Sequence, residues 1–489
     1  MSPIIILLIV IILIFYACFL YKKSSSNPHP LPPGPMSFPF IGCTIQMLLN
    51  QPTFRWIHNL MDQFHTQILC IRLGSSTHVI TVTSPLLACE FLKKHEAIFI
   101  SRPDFFSAYL VSDGYHTTVL SPFGDQWRKM KRIITHDMLS SQANKWFQPK
   151  RDQEANHLLT YICNQIEKGS GSGNINIRTV SQHFCGNLMR NMIFGRRFFG
   201  KGSGDGGPGV EETEHIRAIF NILKYLYAFC ITDYHPWLRG KTDFDSHEKN
   251  MRSALKIARK YQDPLIDERI KMWENGARME VHDLLDVLIN HDNPKVTMVE
   301  IKAQIIEIMC ASVDNPSNAV EWTMGEMIKE PTLLKRAMEE LDRVVGCTLL
   351  QLSIYPMFRR WTPLLPVTLF QRVVMCFLVG LGRNPNVWAD PLRFNPDRHL
   401  QGEEKQVVLT DDDLRMISFS TGKRGCPAVV LGSTMTTMML ARMLQGFTWE
   451  VPCNEPPIEL IENRDDLSLA KPLVLVSKPR LPLHLYPKN

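Results

Sequence analysis

The chain has 489 residues, of which 45% are hydrophobic, and this is enough apolar material for one large globular core. Its formal net charge of +6 is too small to indicate a nucleic-acid-binding protein. The 12 cysteines include no Cys-x-x-Cys pair, which argues against a zinc site and against the disulfide framework of a small secreted protein. We therefore expect a protein of a reducing compartment, with most cysteines buried as small apolar residues.

The first element that the sequence predicts is a membrane anchor over residues 1–23. Pro3–Tyr21 is an apolar run without a charged residue, and as a helix it would be about 28 Å long, enough to cross a bilayer. Lys22 and Lys23 follow, and by the positive-inside rule they leave the rest of the chain in the cytosol. A cleaved signal peptide is the alternative, but the run is long for one and no Ala-x-Ala cleavage site follows.

A polar and proline-rich hinge over residues 24–40 separates this anchor from the rest of the chain. Within it, Leu31–Pro35 reads Leu-Pro-Pro-Gly-Pro, a stiff and extended sequence. Residues 41–489 are predicted to form one domain that is mainly α-helical. Its small β region begins with a hairpin over Ile68–Leu73 and His78–Val82, where apolar and polar residues alternate.

A short helix with a basic face is predicted around Phe123–Arg132. Trp127 and Lys131 are four residues apart, so an indole and an ammonium group share one side of this helix. Such a pair could bind the carboxylate of a ligand. A solvated basic face with one packed Trp is the alternative.

The longest predicted helix covers Thr297–Glu330 and ends before a proline. Its first turn has the Thr-x-x-Glu pattern of a capping box. Pro316 lies inside it, where a proline removes a backbone hydrogen bond at a cost of about 3 kcal/mol. A distortion of that cost indicates either a functional groove around Asp314 and Asn315 or a helix that is bent for packing.

Near the C terminus, one cysteine stands in a glycine-punctuated loop. Phe419–Ala428 reads Phe-Ser-Thr-Gly-Lys-Arg-Gly-Cys-Pro-Ala, and an apolar helix is predicted directly after it. The two glycines let the backbone turn sharply and approach a flat ligand closely. Cys426, at a helix start and beside Lys423 and Arg424, is expected to be stabilised as a thiolate. A buried structural cysteine is the alternative.

The motifs together resemble one family. The spacing Phe-x-x-Gly-x-Arg-x-Cys-x-Ala is similar to the haem-binding loop of the cytochromes P450, the haem-thiolate monooxygenases. That family usually has Trp-x-x-x-Arg in the basic helix, whereas Lys131 stands at the arginine position here. The resemblance implies a mainly α fold with a small β region, haem b between the long helix and the cysteine loop, and an N-terminal anchor in the endoplasmic reticulum membrane. The catalytic domain would then lie in the cytosol.

The sequence Asp-Asn-Pro-Ser that begins at Asp314 narrows this resemblance. Most cytochromes P450 have an alcohol after the acid, whereas Asn315 follows it here. The pattern is similar to that of the plant amino-acid N-monooxygenases, which form aldoximes, and most of all to the cyanogenic branch that takes aliphatic amino acids or phenylalanine. The resemblance covers Pro32–Val345 and Val379–Pro487.

The resemblance also implies roles for the candidate residues. The expected haem contacts are Cys426 as axial ligand of the iron, Phe419 and Gly422 in the loop around it, and Arg424, Trp127 and Lys131 at the propionates. Asp314 and Asn315 are expected to face the oxygen site. Arg102 is a candidate for binding the carboxylate of an amino-acid substrate, and a plain surface charge is its alternative. Electrons would come from NADPH through NADPH–cytochrome P450 reductase.

Between Gly346 and Val379 the resemblance stops. The family has here a helix with Glu-x-x-Arg and a strand that lines the substrate pocket, whereas Cys347–Asn384 contains no Asp or Glu. In the family the Glu-x-x-Arg pair holds an arginine of a later loop, which is Arg398 in this chain. Removing one partner of a buried ion network typically costs several kcal/mol. The aberrant stretch, residues 347–378, therefore predicts weakened haem retention and activity.

Two other functions stay open at this point. The chain could be a plant cytochrome P450 that hydroxylates carbon, which product analysis would distinguish. It could also be a non-catalytic, membrane-anchored pseudo-enzyme, as the aberrant stretch suggests. Glu340 and Arg343 match the bare Glu-x-x-Arg pattern, but their surroundings assign them to the preceding helix.

Overall fold

In the computed structural model of this chain, the residues described are 31–168, 173–346, 381–382, 384–401, 406–407, 413–453, 456–464 and 466–487, together with Val10, Leu13, Ile14 and Tyr16. The aberrant stretch and, apart from those four residues, the predicted anchor lie outside this set. Among the described residues, no helix combines the length and the apolar character that crossing a membrane requires.

Helices make up most of the described fold, as the sequence predicts. Those of the first half are α1 (Thr44–Leu49), α2 (Thr53–Gln63), α3 (Pro85–Cys89), α4 (Glu96–Phe99), α5 (Phe106–Val111), α6 (Asp125–Ile133), α7 (Ser141–Trp146), α8 (Gln148–Lys168), α9 (Ile177–Phe194) and α10 (Val210–Tyr227). Those of the second half are α11 (Ile231–Tyr234), α12 (His247–Glu274), α13 (Leu284–Ile289), α14 (Met298–Lys329), α15 (Pro331–Val345) and α16 (Val429–Gly446). Two π-helical turns, Glu90–Lys94 and Ile134–Met138, continue α3 and α6.

The β structure of the described residues is small and antiparallel. Strands β1 (Ile68–Leu73) and β2 (Thr77–Val82) form a hairpin, which confirms the predicted one with β2 starting one residue earlier. A three-stranded sheet has the order β3 (Asn174–Asn176), β7 (Val474–Pro479) and β6 (Phe447–Glu450), and a short pair joins β4 (Leu400–Gln401) to β5 (Gln406–Val407). Because β3 ends where α9 begins, its pairing with β7 places that C-terminal strand beside the start of α9.

The core is built around α9, α14 and α16. Helix α9 is buried along almost all of its length and packs against both α8 and α14. Helix α16 is buried from Thr434 to its end and packs against α14 as well. Because these helices are covered on several sides, they bury polar residues such as Arg190, Glu321 and Arg442 as well as apolar ones.

Helix α14 begins as the capping-box pattern predicts. The Thr297 hydroxyl accepts the Glu300 amide N–H at 3.3 Å, and the Glu300 carboxylate accepts the Thr297 amide N–H at 2.7 Å. The helix continues through Pro316 to its end. The Ser317 hydroxyl donates to the carbonyl of Val313 at 2.6 Å, so a side chain supplies a hydrogen bond next to the one that the proline removes.

Candidate functional site

The cysteine loop is a tight turn that leads into α16. The Cys426 amide N–H donates to the carbonyl of Phe419 at 2.8 Å, which closes the loop on itself. The Ala428 amide N–H in turn points at the Cys426 sulfur, with the nitrogen 3.4 Å from Sγ. The cysteine side chain is exposed on the surface of the loop. The loop therefore presents one sulfur atom to a ligand and supports it with a backbone donor.

Gly422 is required by the shape of this loop. Its φ of +68° lies in the left-handed region, which favours glycine. A Cβ at this position would collide with the carboxylate of Glu96, which accepts the amide N–H of Lys423. A carboxylate from the preceding part of the chain thus occupies the space that the absent side chain leaves.

The Arg424 side chain is turned toward Trp127. Its guanidinium lies 4.5 Å from the centroid of the indole ring and donates to the carbonyls of Ile100 at 2.8 Å and Ser121 at 2.9 Å. Nη1 is buried and has no hydrogen-bond partner in the part of the chain that the structure describes. Burial lowers the pKa of Arg424 to about 10, and the nearby charge of Arg102 acts in the same direction. An anion would satisfy the buried donor.

Lys131 contacts the cysteine loop directly. Its ammonium group donates to the carbonyl of Gly425 at 3.1 Å, one residue before Cys426. Burial raises the pKa of the Cys426 thiol, although the Ala428 amide and the Lys131 charge lower it. The amide at the helix start thus acts on the thiol in the expected direction, and Lys131 supplies the cation that was expected of Lys423 and Arg424. The protein around Sγ disfavours the thiolate although the residue as a whole is exposed, and a bound iron cation would favour it.

Helix α14 exposes one stripe in its otherwise buried middle. Between residues 303 and 327 the side chains that are not buried are Ile308, Ala311, Ser312 and Asn315. Their spacing of three, one and three residues places them on one side of a helix. One side of this core helix is thus only partly covered by the described residues, and Asn315 is the member of the predicted acid–amide pair that lies on it.

Asp314 is not part of that stripe. Its side chain is buried and accepts hydrogen bonds from the Tyr227 hydroxyl at 3.2 Å and from the Asn318 amide at 2.7 Å. Burial raises the pKa of Asp314 to about 7. Sequence reasoning did not single out Tyr227, because it lies at the end of α10 and no local pattern links it to α14.

Arg102 lies in the segment before α5, where the residue keeps access to solvent. Its Nε donates to the carbonyl of Val119 at 3.4 Å. Burial lowers the pKa of Arg102, and the carboxylate of Glu307 opposes that shift. Glu307, buried on α14, accepts the amide N–H groups of three successive residues, Thr118, Val119 and Leu120. The sequence gives little indication of this role. Glu307 is one polar residue in an apolar stretch, three positions after Gln304, and no local pattern links it to Thr118–Leu120.

The comparison with known proteins decides the family. The family model described as "Cytochrome P450" matches residues 32–352 and 371–477. This chain belongs to the cytochrome P450 family. It is 49% identical to "Isoleucine N-monooxygenase 1" of Lotus japonicus, over 95% of this chain and 93% of that protein.

Two further relatives have the same kind of name. The chain is 47% identical to "Valine N-monooxygenase 1" of Manihot esculenta, over 96% of this chain and 91% of the relative. It is 46% identical to "Tryptophan N-monooxygenase 1" of Arabidopsis thaliana, over 96% of this chain and 92% of that protein. The similarity spans nearly the whole length of each relative, so this P450 chain is a monooxygenase by family.

The residues of the site fit the haem group on which cytochromes P450 depend. A thiolate ligand for iron is available at Cys426, and the Ala428 amide supports it. The buried, unsatisfied Nη1 of Arg424 is a donor suited to a propionate, and Trp127 fixes the plane of that guanidinium. Arg102 adds a second cation near Arg424.

Arg398 has surroundings that differ from the expected buried ion network. It is half-buried, and its guanidinium donates to the carbonyls of Asp390 at 3.0 Å and Arg393 at 2.9 Å. The same group lies 5.8 Å from the ring centroid of Trp388. Backbone carbonyls and partial exposure to water reduce the cost that a fully buried arginine would carry.

Proposed function

We propose that this P450 chain N-hydroxylates an L-amino acid and converts it to the corresponding aldoxime. The observation that carries the proposal is the 46–49% identity, over more than nine-tenths of each chain, to N-monooxygenases named for isoleucine, valine and tryptophan. These relatives act on different side chains, and the feature that their names share is oxidation at nitrogen. The half-buried Asn315, in place of an alcohol, is the local feature that fits this group.

The residues of this chain have separate tasks in the proposed reaction. Cys426 would hold the haem, which supplies the activation of O₂ with reductase-derived electrons. Arg424, Trp127 and Lys131 would hold its propionates. The stripe through Ala311 and Asn315 would contact the bound amino acid and limit its orientation.

Two oxidations at nitrogen complete the conversion. Each one consumes O₂ and two electrons, adds one oxygen atom to the amino nitrogen and releases the other oxygen atom as water. The N,N-dihydroxy amino acid then loses water and CO₂, which leaves the aldoxime. The α-carboxylate of the substrate, which leaves as CO₂, must stay bound until this last step, so a cation has to hold it. Arg102 is the candidate for this cation, and its position near Arg424 also brings it close to a second anion, a propionate.

The substrate class that we propose is an aliphatic L-amino acid or phenylalanine. Identity to the isoleucine and valine enzymes is 49% and 47%, against 46% for the tryptophan enzyme. The margin is small, and the aberrant stretch stands in the sequence where the family has a strand that lines the substrate pocket. A side-chain panel therefore has to include both aliphatic and aromatic amino acids.

We further propose that the chain is a single-pass protein of the endoplasmic reticulum membrane that receives electrons from NADPH–cytochrome P450 reductase. The support is the uncharged run Pro3–Tyr21 with Lys22 and Lys23 behind it. The proline-rich segment Leu31–Pro35 would then space the cytosolic domain from the bilayer.

Product analysis with the reductase present tests the proposed function. Valine, isoleucine, leucine, phenylalanine, tyrosine and tryptophan are supplied one at a time, and aldoximes are identified by mass spectrometry. We expect an aldoxime from at least one aliphatic amino acid or phenylalanine. A carbon-hydroxylated product with no aldoxime would contradict the proposal and support the carbon-hydroxylating alternative. The Cys426→Ser variant is the matched control and should give neither product.

A further inference from the structure

A second cluster of metal-binding side chains lies away from the cysteine loop. It is in the α10–α12 connection, residues 228–246, and in the first residue of α12. The Sγ of Cys230, a carboxylate oxygen of Asp245 and a ring nitrogen of His247 lie within 4.8 Å of one another. Cys230 and His247 are buried, with exposed fractions of 2% and 3%, whereas Asp245 is exposed. One side of the cluster is thus open to solvent, so an ion can enter.

The imidazole of His247 is already oriented for such a role. Its Nε2 is 2.7 Å from the hydroxyl oxygen of Ser107, and its ring packs edge-on against Tyr225 with centroids 5.1 Å apart. A histidine that binds a metal almost always has its second nitrogen hydrogen-bonded in this manner, which fixes the ring and the tautomer. The remaining nitrogen, Nδ1, is then the ligand atom.

The other two groups are held by hydrogen bonds to residues two positions away in the sequence. Asp245 accepts the amide N–H of His247 at 3.3 Å, so its carboxylate is turned back toward the imidazole. The Sγ of Cys230 is 3.1 Å from the hydroxyl oxygen of Thr232. A tetrahedral zinc ion with bonds of roughly 2.0–2.3 Å keeps its ligand atoms about 3.3–3.8 Å apart. Side-chain movements of about an ångström would complete the coordination.

The charges around the cluster favour a cation. Asp243 and Asp245 act on His247, and Asp233 and Asp245 act on Cys230. The thiol of Cys230 would lose its proton to the solvent when an ion binds, and the neutral imidazole of His247 would bind through the nitrogen that Ser107 leaves free.

We propose that Cys230, Asp245 and His247 form a binding site for a divalent ion of the zinc class, separate from the haem site and independent of the proposed function. One thiolate, one imidazole and one carboxylate match the preferences of Zn²⁺, and the exposed side leaves a fourth position for water. A bound ion would join the two ends of the α10–α12 connection. Through the Ser107–His247 hydrogen bond it would also tie this connection to α5, which packs against α12.

Cadmium titration of the purified full-length chain tests the site, because Cd²⁺ bound to a thiolate gives an ultraviolet charge-transfer band. We expect one equivalent of Cd²⁺ to produce the band. Added Zn²⁺ should displace Cd²⁺ and remove the band, and the Cys230→Ser variant should not show it. Cys453→Ser removes an exposed cysteine outside the cluster and should keep the band. No band in the unaltered chain, or a full band in Cys230→Ser, overturns the proposal.

A second variant keeps the test decisive if Cys230→Ser fails to fold. Asp245→Asn changes an exposed residue, and it should weaken Zn²⁺ binding in calorimetry by at least about tenfold. Asp125→Asn, whose side chain is 98% exposed on α6, is the matched control and should bind Zn²⁺ like the unaltered chain. Zn²⁺ should raise the melting temperature of the control but not of Asp245→Asn. Equal affinity in the two variants contradicts the proposed site.

Discussion

At the scale of single residues, the cysteine loop presents a sulfur atom that is open to a ligand, and backbone hydrogen bonds fix the shape of the loop around it. Cys426 is held by one amide hydrogen bond to Phe419 and receives another from Ala428. Burial raises the pKa of the thiol, while the Ala428 amide and the charge of Lys131 lower it. The loop therefore has its shape before iron binds, and a bound iron would favour the ionised form of the Cys426 sulfur.

The first prediction concerns this sulfur atom. Replacing Cys426 by Ser should abolish the thiolate-type absorption band of the reduced, CO-treated protein, because an alcohol is a poor ligand for the haem iron. The difference spectrum measures this directly. Cys453→Ser, on an exposed cysteine elsewhere, should leave the band intact. An unchanged band in Cys426→Ser would remove the assignment of the ligand.

The second prediction concerns the pH dependence of stability that Asp314 causes. Its pKa in the folded chain is about 7, whereas an unfolded aspartate titrates near ~3.9. Between these values the folded chain holds a proton that the unfolded chain has lost, so stability falls as pH rises through the window and levels off above it. Asp314→Asn should show a smaller fall in melting temperature between pH 5 and pH 8.

The slope with pH, rather than the absolute melting temperature, is the quantity that tests Asp314. A packing cost of the amide is the same at every pH and leaves the slope unchanged. Asp125→Asn, on an exposed aspartate, should retain the slope of the unaltered chain. Parallel curves for Asp314→Asn and the unaltered chain would show that Asp314 does not titrate in this window.

At the scale of elements, α14 organises the site by holding two other parts of the chain. Through Asp314 it binds Tyr227 at the end of α10. Through Glu307 it binds three consecutive backbone amides of the segment before α6, which carries Trp127. The segment is thus placed by a side chain of α14 rather than by regular secondary structure, and Arg102 and Arg424 depend on its position.

The third prediction follows from this arrangement. Glu307→Gln replaces one acceptor oxygen by an NH₂ donor, which then faces the N–H donors of Thr118–Leu120 and Gln304 instead of accepting from them, at a cost of about 1–3 kcal/mol. Hydrogen exchange should show faster exchange of these amides and a lower global stability. Glu330→Gln, exposed at the end of the same helix, is the control. Unchanged protection of the three amides in Glu307→Gln would contradict the role of Glu307.

At the scale of the whole molecule, the match to the family has one interruption. The family model leaves residues 353–370 unmatched, and this interval lies inside the aberrant stretch 347–378. The matched residues on either side of this interval include the Trp127 helix α6, the long helix α14 and the cysteine loop. That the stretch impairs this chain stays a prediction, since it lies outside the described residues.

The fourth prediction tests the aberrant stretch. The chain as written should retain little haem and make little or no aldoxime, because the stretch has no Asp or Glu to pair with Arg398 and its sequence does not resemble the pocket strand of the family. A chimera with a family-type segment in place of Cys347–Leu378 should restore both, and displacements of a substrate by about 1 Å can cost about a hundredfold in rate. Haem content and aldoxime yield are measured in parallel. Equal turnover by the two chains would show that Arg398 needs no such partner.

The fifth prediction concerns topology. Met1–Lys23 should anchor the chain with residues 30–489 on the cytosolic side, because Lys22 and Lys23 follow an uncharged run. Protease added to sealed microsomes should then digest most of the chain. Detergent-opened vesicles are the control for accessibility. Full protection in sealed vesicles would reverse the predicted orientation.

The sequence by itself determined the features that depend on neighbouring residues. The loop around Cys426, the β1–β2 hairpin and the capping box of α14 each arise from residues a few positions apart, so local spacing is enough to predict them. Only the tertiary structure decided the contacts between distant segments, such as Arg424 on Trp127, Tyr227 on Asp314 and Glu307 on the amides of Thr118–Leu120. It also decided that the thiol of Cys426 has a raised pKa, because solvation depends on everything packed around a group and not on its neighbours in the chain.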